Sequence, residues 1–169
     1  MDLAQRLEAV EKRLRYLEDQ EKIRECLHTY GFNADLGRSE KWADGWTPDG
    51  VYDLEDQKWR GRDDLLDLIG APMNNHKQIE NRSQHAMLNL FIRIEGDTAW
   101  AEGYSATIVR KTPEKIELWT CAYNHFEFVR SGERWLLKYR TRRNIGGDEW
   151  GGKAIRKYLD DDGSHTSAT

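Results

Sequence analysis

Two hydrophobic periods divide the chain. From Leu3 to Ala34 apolar residues recur every three or four positions, and from Ser83 to about residue 145 they recur every second position. Leu3, Leu7, Val10, Leu14 and Leu17 follow one another at steps of four, three, four and three, with charged residues between them. That stripe predicts a helix laid along the body of its own domain. The rival is a short coiled-coil contact with another subunit, for which about two heptads are little support. The mixed stretch from Glu18 to Lys22 then leads into a second helix. Its stripe is Ile23, Leu27, Tyr30 and Ala34, and Gly37 is its stop.

Residues 38–72 read as a short helix, a turn, a strand and another short helix. Trp42 and Trp46 are four apart and share a helix face. Thr47-Pro48-Asp49-Gly50 is a turn, Val51–Leu54 has strand character, and a helix carrying Leu65, Leu66, Leu68 and Ile69 follows Gly61. Met73–Arg82 is polar and loop-like. Four long strands are then expected at about 84–95, 98–111, 115–130 and 134–145, joined by Glu95-Gly96-Asp97, Thr112-Pro113-Glu114 and Ser131-Gly132-Glu133. In the first of them His85, Met87, Asn89 and Phe91 point one way and Ala86, Leu88, Leu90 and Ile92 the other. Both faces are partly apolar, so one should cover the helices and the other should meet a second subunit. Gly103 in mid-strand marks a bend or bulge. Helices first and a meander afterwards make an α+β domain: a cone of curved antiparallel sheet wrapped on N-terminal helices, with a pocket inside. One domain is expected over 1–158, with a disordered acidic tail over 159–169. The run Gly146–Gly152 reads as a flap carrying Trp150, because its two acidic residues and its glycine spacing do not suit a phosphate loop.

Composition narrows the function. The chain has 169 residues and a formal net charge of −4, against the basic face that nucleic acid requires. No apolar run approaches a membrane span, and the first residues lack the apolar centre of a signal peptide, so a cytoplasmic protein is expected. Cys26 and Cys121 share no close-spaced motif, which gives no sign of a disulfide framework or zinc site. Neither H-x-H nor H-E-x-x-H spacing occurs, so no metal and no cofactor are expected. Seven Trp and seven Tyr supply flat aromatic surface for a core, for a pocket, or for both. Trp42, Trp46, Trp59 and Trp135 read as packing. Tyr30, Phe91, Tyr104, Tyr123 and Trp150 are the pocket candidates.

Several local features occur in a recognisable order. Tyr30 is followed by Asp35, then by an aromatic-Thr-Pro-Asp turn at Trp46–Asp49. Gly-Arg-Asp-Asp-Leu at Gly61–Leu65 comes next, then a strand opening Gln84-His85 and a final strand with Gly-x-x-Trp at Gly132–Trp135. Over roughly residues 5–145 this order resembles the SnoaL-like branch of the nuclear transport factor 2-like superfamily, which includes enzymes of the scytalone dehydratase and bile acid 7α-dehydratase type. The resemblance implies that Asp35 pairs with His85 and that Tyr30 contacts a substrate oxygen. From the residues alone, a helix-ending Asp in water and a strand His on a backbone carbonyl serve as well. His28 lies seven residues before Asp35 and is an alternative partner. On an ideal helix Tyr30 and Asp35 are about 140° apart, so one cavity holds both only if it is wide or the helix unwinds near Gly31.

Further pocket candidates are Asn89, His125, Tyr104, Phe91 and the flap residue Trp150. A slip of one residue would turn His125 outward. Tyr104 and Thr107 lie on opposite faces of one strand. Arg140 could supply a cation for a developing oxyanion, but Arg140, Arg142 and Arg143 are more simply a solvated strand end. Scytalone dehydratase places a second ionisable group late in the second long strand, where this chain reads Ser105-Ala106-Thr107-Ile108-Val109. The reading is a cofactor-free lyase, and the resemblance implies that its substrate is a hydroxylated aromatic or polycyclic small molecule. It would expel water, or a small carbonyl from a lignin-like diaryl compound. An isomerase or cyclase of the same superfamily, or a non-catalytic binding domain, is the alternative. A homodimer or homotrimer is expected.

Overall fold

A computed structural model describes residues 2–146, 151–153 and 155–156 of the protein. Its first helix, α1, runs unbroken from Leu3 to Asp35 and replaces the two separate helices expected. The intervening Glu18-Asp19-Gln20-Glu21-Lys22 contains neither Gly nor Pro, so nothing stops propagation. Asp2 and Gln5 cap the start reciprocally, side chain to backbone, at 2.9 and 3.0 Å. Gly37, at φ 63°, ends the last turn, with its N–H donated to the Ala34 carbonyl.

The helix does not lie along the body over its full length. Ile23, Leu27, Tyr30 and Ala34 are buried, whereas Leu3, Leu7, Val10, Leu14 and Leu17 are 52–80% exposed. Asp19 marks the change. It accepts both terminal nitrogens of Arg130 at 2.9 and 2.7 Å and Trp135 Nε1 at 3.0 Å. Burial would raise the Asp19 carboxyl, but the bond from Arg130, the largest influence on it, and that from Trp135 hold it below its ordinary range.

After α1 come α2 (Ser39–Ala43), β1 (Trp46–Leu54), β2 (Gln57–Arg60), α3 (Gly61–Gly70), a 3-10 turn (Asn75–Gln78), β3 (Ser83–Glu95), β4 (Thr98–Thr112), β5 (Lys115–Ser131) and β6 (Arg134–Asn144). The four long strands thus fall where the alternation placed them. Trp46 opens a strand instead of sharing a helix with Trp42, yet the two rings still meet at 5.3 Å between centroids. The Thr47–Gly50 turn survives as a bulge, because β1 meets β6 at Trp46↔Leu137 and next at Val51↔Tyr139.

The six strands form a curved, unclosed sheet in the order β2-β1-β6-β5-β4-β3. The meander of β3 to β6 is antiparallel throughout, as expected, and β1 joins it by a parallel pairing with β6. Helix α1 packs across one face against β3 and β6. The core between them holds Ile23, Leu27, Trp42, Phe126, Phe128 and Leu137, each at most 1% exposed.

One irregularity in β3 decides which residues face that core. Leu88 pairs with Tyr104 and Phe91 pairs with Glu102, so β3 carries one residue more than β4 between these pairs. Asn89 takes the left-handed conformation there, at φ 52°. His85 and Met87 face the helix before the bulge, and Leu90, Ile92 and Ile94 pack against the core after it. Gly103 stands opposite. A Cβ at Gly103 would lie 2.7 Å from the Leu88 carbonyl oxygen and 3.1 Å from that of Asn89. Gly103→Ala should therefore destabilise the fold by about 1–3 kcal/mol, since backbone of the neighbouring strand must shift to admit the methyl group. Urea unfolding measures this, and a loss under about 0.5 kcal/mol would show that the bulge does not depend on the glycine.

Candidate active site

The end of α1 and the start of β3 are fastened at one carboxylate. Asp35 Oδ1 accepts the Ser83 hydroxyl at 2.8 Å and lies 2.6 Å from His85 Nδ1. Both Asp35 oxygens lie 3.1 Å from the His85 backbone nitrogen, which donates to them. The backbone joins in, with Asn81 N–H donating to the Asp35 carbonyl at 2.7 Å. Close approach of the two elements depends on Gly31, where a Cβ would sit 2.8 Å from the His85 carbonyl oxygen. Burial would raise the Asp35 carboxyl, but the hydrogen bonds from His85 and Ser83 outweigh it and hold it below its ordinary value. A carboxylate on Nδ1 fixes the tautomer with the proton on that nitrogen and leaves Nε2 as acceptor.

His76, in the 3-10 turn, stacks on His85 with ring centroids 5.5 Å apart and planes 18° from parallel. Burial, and then the neighbouring His85, push its pKa down to about 4, so it is neutral at pH 7. Its two ring nitrogens are buried without a hydrogen-bond partner among the described residues. The reading of Met73–Arg82 as a polar loop missed this residue, because a single His in a polar run carries no period.

Tyr30 belongs to a second polar group. Its hydroxyl accepts a short hydrogen bond from Arg140 Nη1, while Arg140 Nε and Nη2 donate to Asn124 Oδ1 at 3.1 and 2.7 Å. Asn124 Nδ2 in turn donates to the Ser105 hydroxyl at 2.9 Å. Helix α1 does not unwind at Gly31, so the wide angle between Tyr30 and Asp35 persists. Asp35 reaches β3 and Tyr30 reaches β6. Burial raises the Tyr30 hydroxyl well above its usual pKa, partly countered by Arg140. A protonated phenol whose oxygen already accepts from a guanidinium still has its own O–H to donate.

Arg140 and Arg142 are buried, at 3% and 8% exposure, which corrects the simpler reading of them as a solvated strand end. Arg143 does reach a carboxylate, that of Asp53, at 2.9 Å. His28 is exposed and has no part in the pairing.

The remaining candidates do not face the helix. Asn124 is the inward residue of β5, so alternation turns Tyr123 and His125 to the outer face, the slip foreseen for this strand. There His125 Nδ1 lies 3.2 Å from Glu102 Oε1. Tyr104 meets Tyr123 edge to face at 6.2 Å, which leaves Thr107 as the inward residue of that pair on β4. Phe91 is turned outward by the bulge and lies under the Arg93 guanidinium, 5.3 Å from the ring centroid. Asn89 occupies the bulge itself and is exposed. Trp150 lies outside the described residues, as does the tail from residue 157 onward. Its neighbour Gly151 is buried against the Tyr123 ring on the outer face.

A cleft of about 390 Å³ opens between α1, α2 and the β5–β6 turn, beside Cys26, Trp42 and Arg134, and includes neither Asp35 nor His85 in its lining. Burial pushes the Cys26 thiol up to about 11, which keeps it protonated and a poor nucleophile.

Residues 15–141 match the family model of the SnoaL-like domain. The chain belongs to the SnoaL-like family. Among solved structures it is similar to an NTF2-like protein with a cystatin-like fold from Novosphingobium aromaticivorans. That likeness has 28% identity and a TM-score of 0.78, and covers 94% of this chain and 97% of the other. A protein from the same organism, provisionally described as a scytalone dehydratase, shares 16% identity at a TM-score of 0.63, over 77% of this chain and 86% of its own. A Mycobacterium tuberculosis protein of unknown function shares 22% at 0.68, over 76% and 77%. These last two show a shared fold. No curated protein sequence matches the chain. No helix among the described residues is long and apolar enough to cross a membrane.

The low pKa of His76 has a consequence for stability. Its folded value, about 4, lies below the 6.5 of an unfolded histidine, so the unfolded chain takes up the proton first as pH falls. Stability is therefore lost from about pH 6.5 down to about pH 4, by at most ~3.5 kcal/mol at ~1.4 kcal/mol per pH unit. Thermal unfolding between pH 8 and 4.5 should show this decline, and His76→Phe should flatten it. Superimposable profiles would mean that His76 is not held neutral by the fold.

Proposed function

We propose that this protein is a cofactor-independent lyase that acts by acid–base chemistry on a hydroxylated aromatic or polycyclic small molecule. The observation that carries this reading is the Asp35–His85 pair at 2.6 Å, with the carboxylate anchored by three further hydrogen bonds from β3. The pair is built as a general base is built: Asp35 holds the imidazole by Nδ1, and the lone pair on Nε2 is available.

In an elimination, Nε2 takes a proton from the carbon beside the one that bears the hydroxyl. The C–H electron pair becomes the new double bond and the C–O bond breaks. The imidazolium, stabilised by Asp35, returns its proton to the departing hydroxide, and water leaves. In the retro-aldol variant Nε2 takes the hydroxyl proton instead. The oxygen pair forms the new C=O, and the C–C bond breaks with its electron pair passing into an enolate of the substrate's neighbouring carbonyl. The imidazolium returns the proton to the enolate carbon, and a small carbonyl compound departs. Either course develops negative charge on a substrate oxygen. Tyr30, which accepts from Arg140 and keeps its own proton, serves as donor to that oxygen only on a substrate that spans from β3 to β6, because α1 stays helical between Tyr30 and Asp35. The family supports the reading at the level of a superfamily that contains such dehydratases.

The test is turnover on a panel of hydroxylated aromatic compounds, followed by the ultraviolet absorption of a new conjugated double bond. His85→Ala and Asp35→Asn should each lower kcat by about 10²-fold or more with the circular dichroism unchanged. Wild-type rates in either folded variant would sink the proposed base.

A further inference from the structure

Two cations face the helix side of β6 with no acid among the described residues to answer them. Arg140 and Arg142 are alternate residues of one strand, paired with Phe126 and Asn124, whose side faces the core. Arg140 spends three of its five N–H donors on neutral acceptors, Tyr30 and Asn124. Its guanidinium also lies 4.7 Å from the Tyr52 ring, 5.0 Å from Tyr30 and 5.1 Å from Phe126. Arg142, at 8% exposure, makes no side-chain hydrogen bond or ion pair with a described residue. Asp35 is committed to His85 and Ser83, and Asp53 to Lys58, Tyr139 and Arg143. A buried charge is normally paired, because desolvation without a partner is costly. In a protein of net charge −4, neither guanidinium thus meets a carboxylate among the described residues.

We infer that Arg142, backed by Arg140, binds a carboxylate on the substrate, so the substrate class is an aromatic acid. A planar guanidinium matches a carboxylate through two parallel hydrogen bonds. This rests on the reading of the Asp35–His85 pair as catalytic, so binding is measured without turnover, in the Asp35→Asn protein. Titration of 4-hydroxycinnamate and its methyl ester, followed by tryptophan fluorescence, should show the acid binding at least about 10-fold tighter than the ester, the worth of one charge-assisted pair. Arg142→Gln should abolish that preference and Arg142→Lys should keep part of it. Equal affinities for acid and ester, no binding of either, or a preference that survives Arg142→Gln would overturn the inference and leave the base assignment to its own test.

A separate observation concerns the exposed start of α1. At 100° per residue the stripe Leu3, Leu7, Val10, Leu14 and Leu17 points about 150° away from the buried stripe Ile23, Leu27, Tyr30 and Ala34. One straight helix cannot lay both on its own domain. In heptad terms Leu7 and Leu14 are a positions and Leu3, Val10 and Leu17 are d positions. The g positions are then Arg6 and Arg13, and the e positions are Glu11 and Glu18. In a parallel pair Arg6 meets the second copy's Glu11 and Arg13 meets its Glu18. An antiparallel pair would set Arg13 on Arg13 and Glu11 on Glu11.

The geometry points to a parallel coiled-coil contact with the same segment of a second copy of this chain. Analytical ultracentrifugation of the full chain at tens of micromolar should show self-association, and Leu7→Asp with Leu14→Asp should abolish it. Arg6→Glu with Arg13→Glu should weaken it, as should Glu11→Arg with Glu18→Arg, and mixing the two charge variants should restore it. A monomeric wild type, or wild-type assembly in the Leu7→Asp/Leu14→Asp protein, would overturn the contact.

Discussion

The Asp35 carboxylate fastens the end of α1 to the start of β3, and both the fold and the candidate chemistry depend on it. It accepts from a hydroxyl, a backbone N–H and an imidazole, all supplied by a three-residue stretch of one edge strand. The same bonds that keep it ionised against its burial also orient His85. The clamp is possible because Gly31 lets helix backbone approach strand backbone more closely than any side chain would permit. A structural tie and a poised base are here one arrangement.

The second constraint is parity. A strand offers alternate residues to opposite faces, so one inserted residue exchanges the faces for everything beyond it. In β3 the Asn89 bulge keeps His85 and Met87 on the helix side and yet brings Leu90, Ile92 and Ile94 there as well. The strand thereby serves a polar site at one end and an apolar core at the other. Phe91 is displaced to the outer face by the same step. Arg93, Glu102 and His125 join it there, among Trp100, Tyr104 and Tyr123.

Charge is distributed with a similar economy. Asp19, Arg130 and Trp135 close the point where α1 meets the body, through a bidentate pair of the strong kind. Asp53 gathers Lys58, Tyr139 and Arg143 on the outer side of β1 and β6. Arg140 is held by neutral acceptors and three aromatic rings instead of a carboxylate, and this is why the two inward arginines of β6 read as a site as well as a support.

Much of this was legible in the chain. The four long strands, their turns, the stripe that buries α1, the Gly37 stop and the need for irregularity near Gly103 follow from local chemistry: side-chain period, turn residues and glycine. The pairing of Asp35 with His85 came from resemblance, since two residues fifty apart have no local signal. Three matters were decided by tertiary structure. The continuity of α1 and the exposure of its leading stripe depend on which stripe finds a partner. The face shown by Phe91, His125 and Asn124 depends on a bulge that only the opposing strand fixes. The burial of Arg140 and Arg142 depends on what covers them. Sequence determines what each segment prefers, because those forces act within a few residues. Side-chain direction after a bulge, and the surroundings of a charge, are set by contacts between segments far apart in the chain.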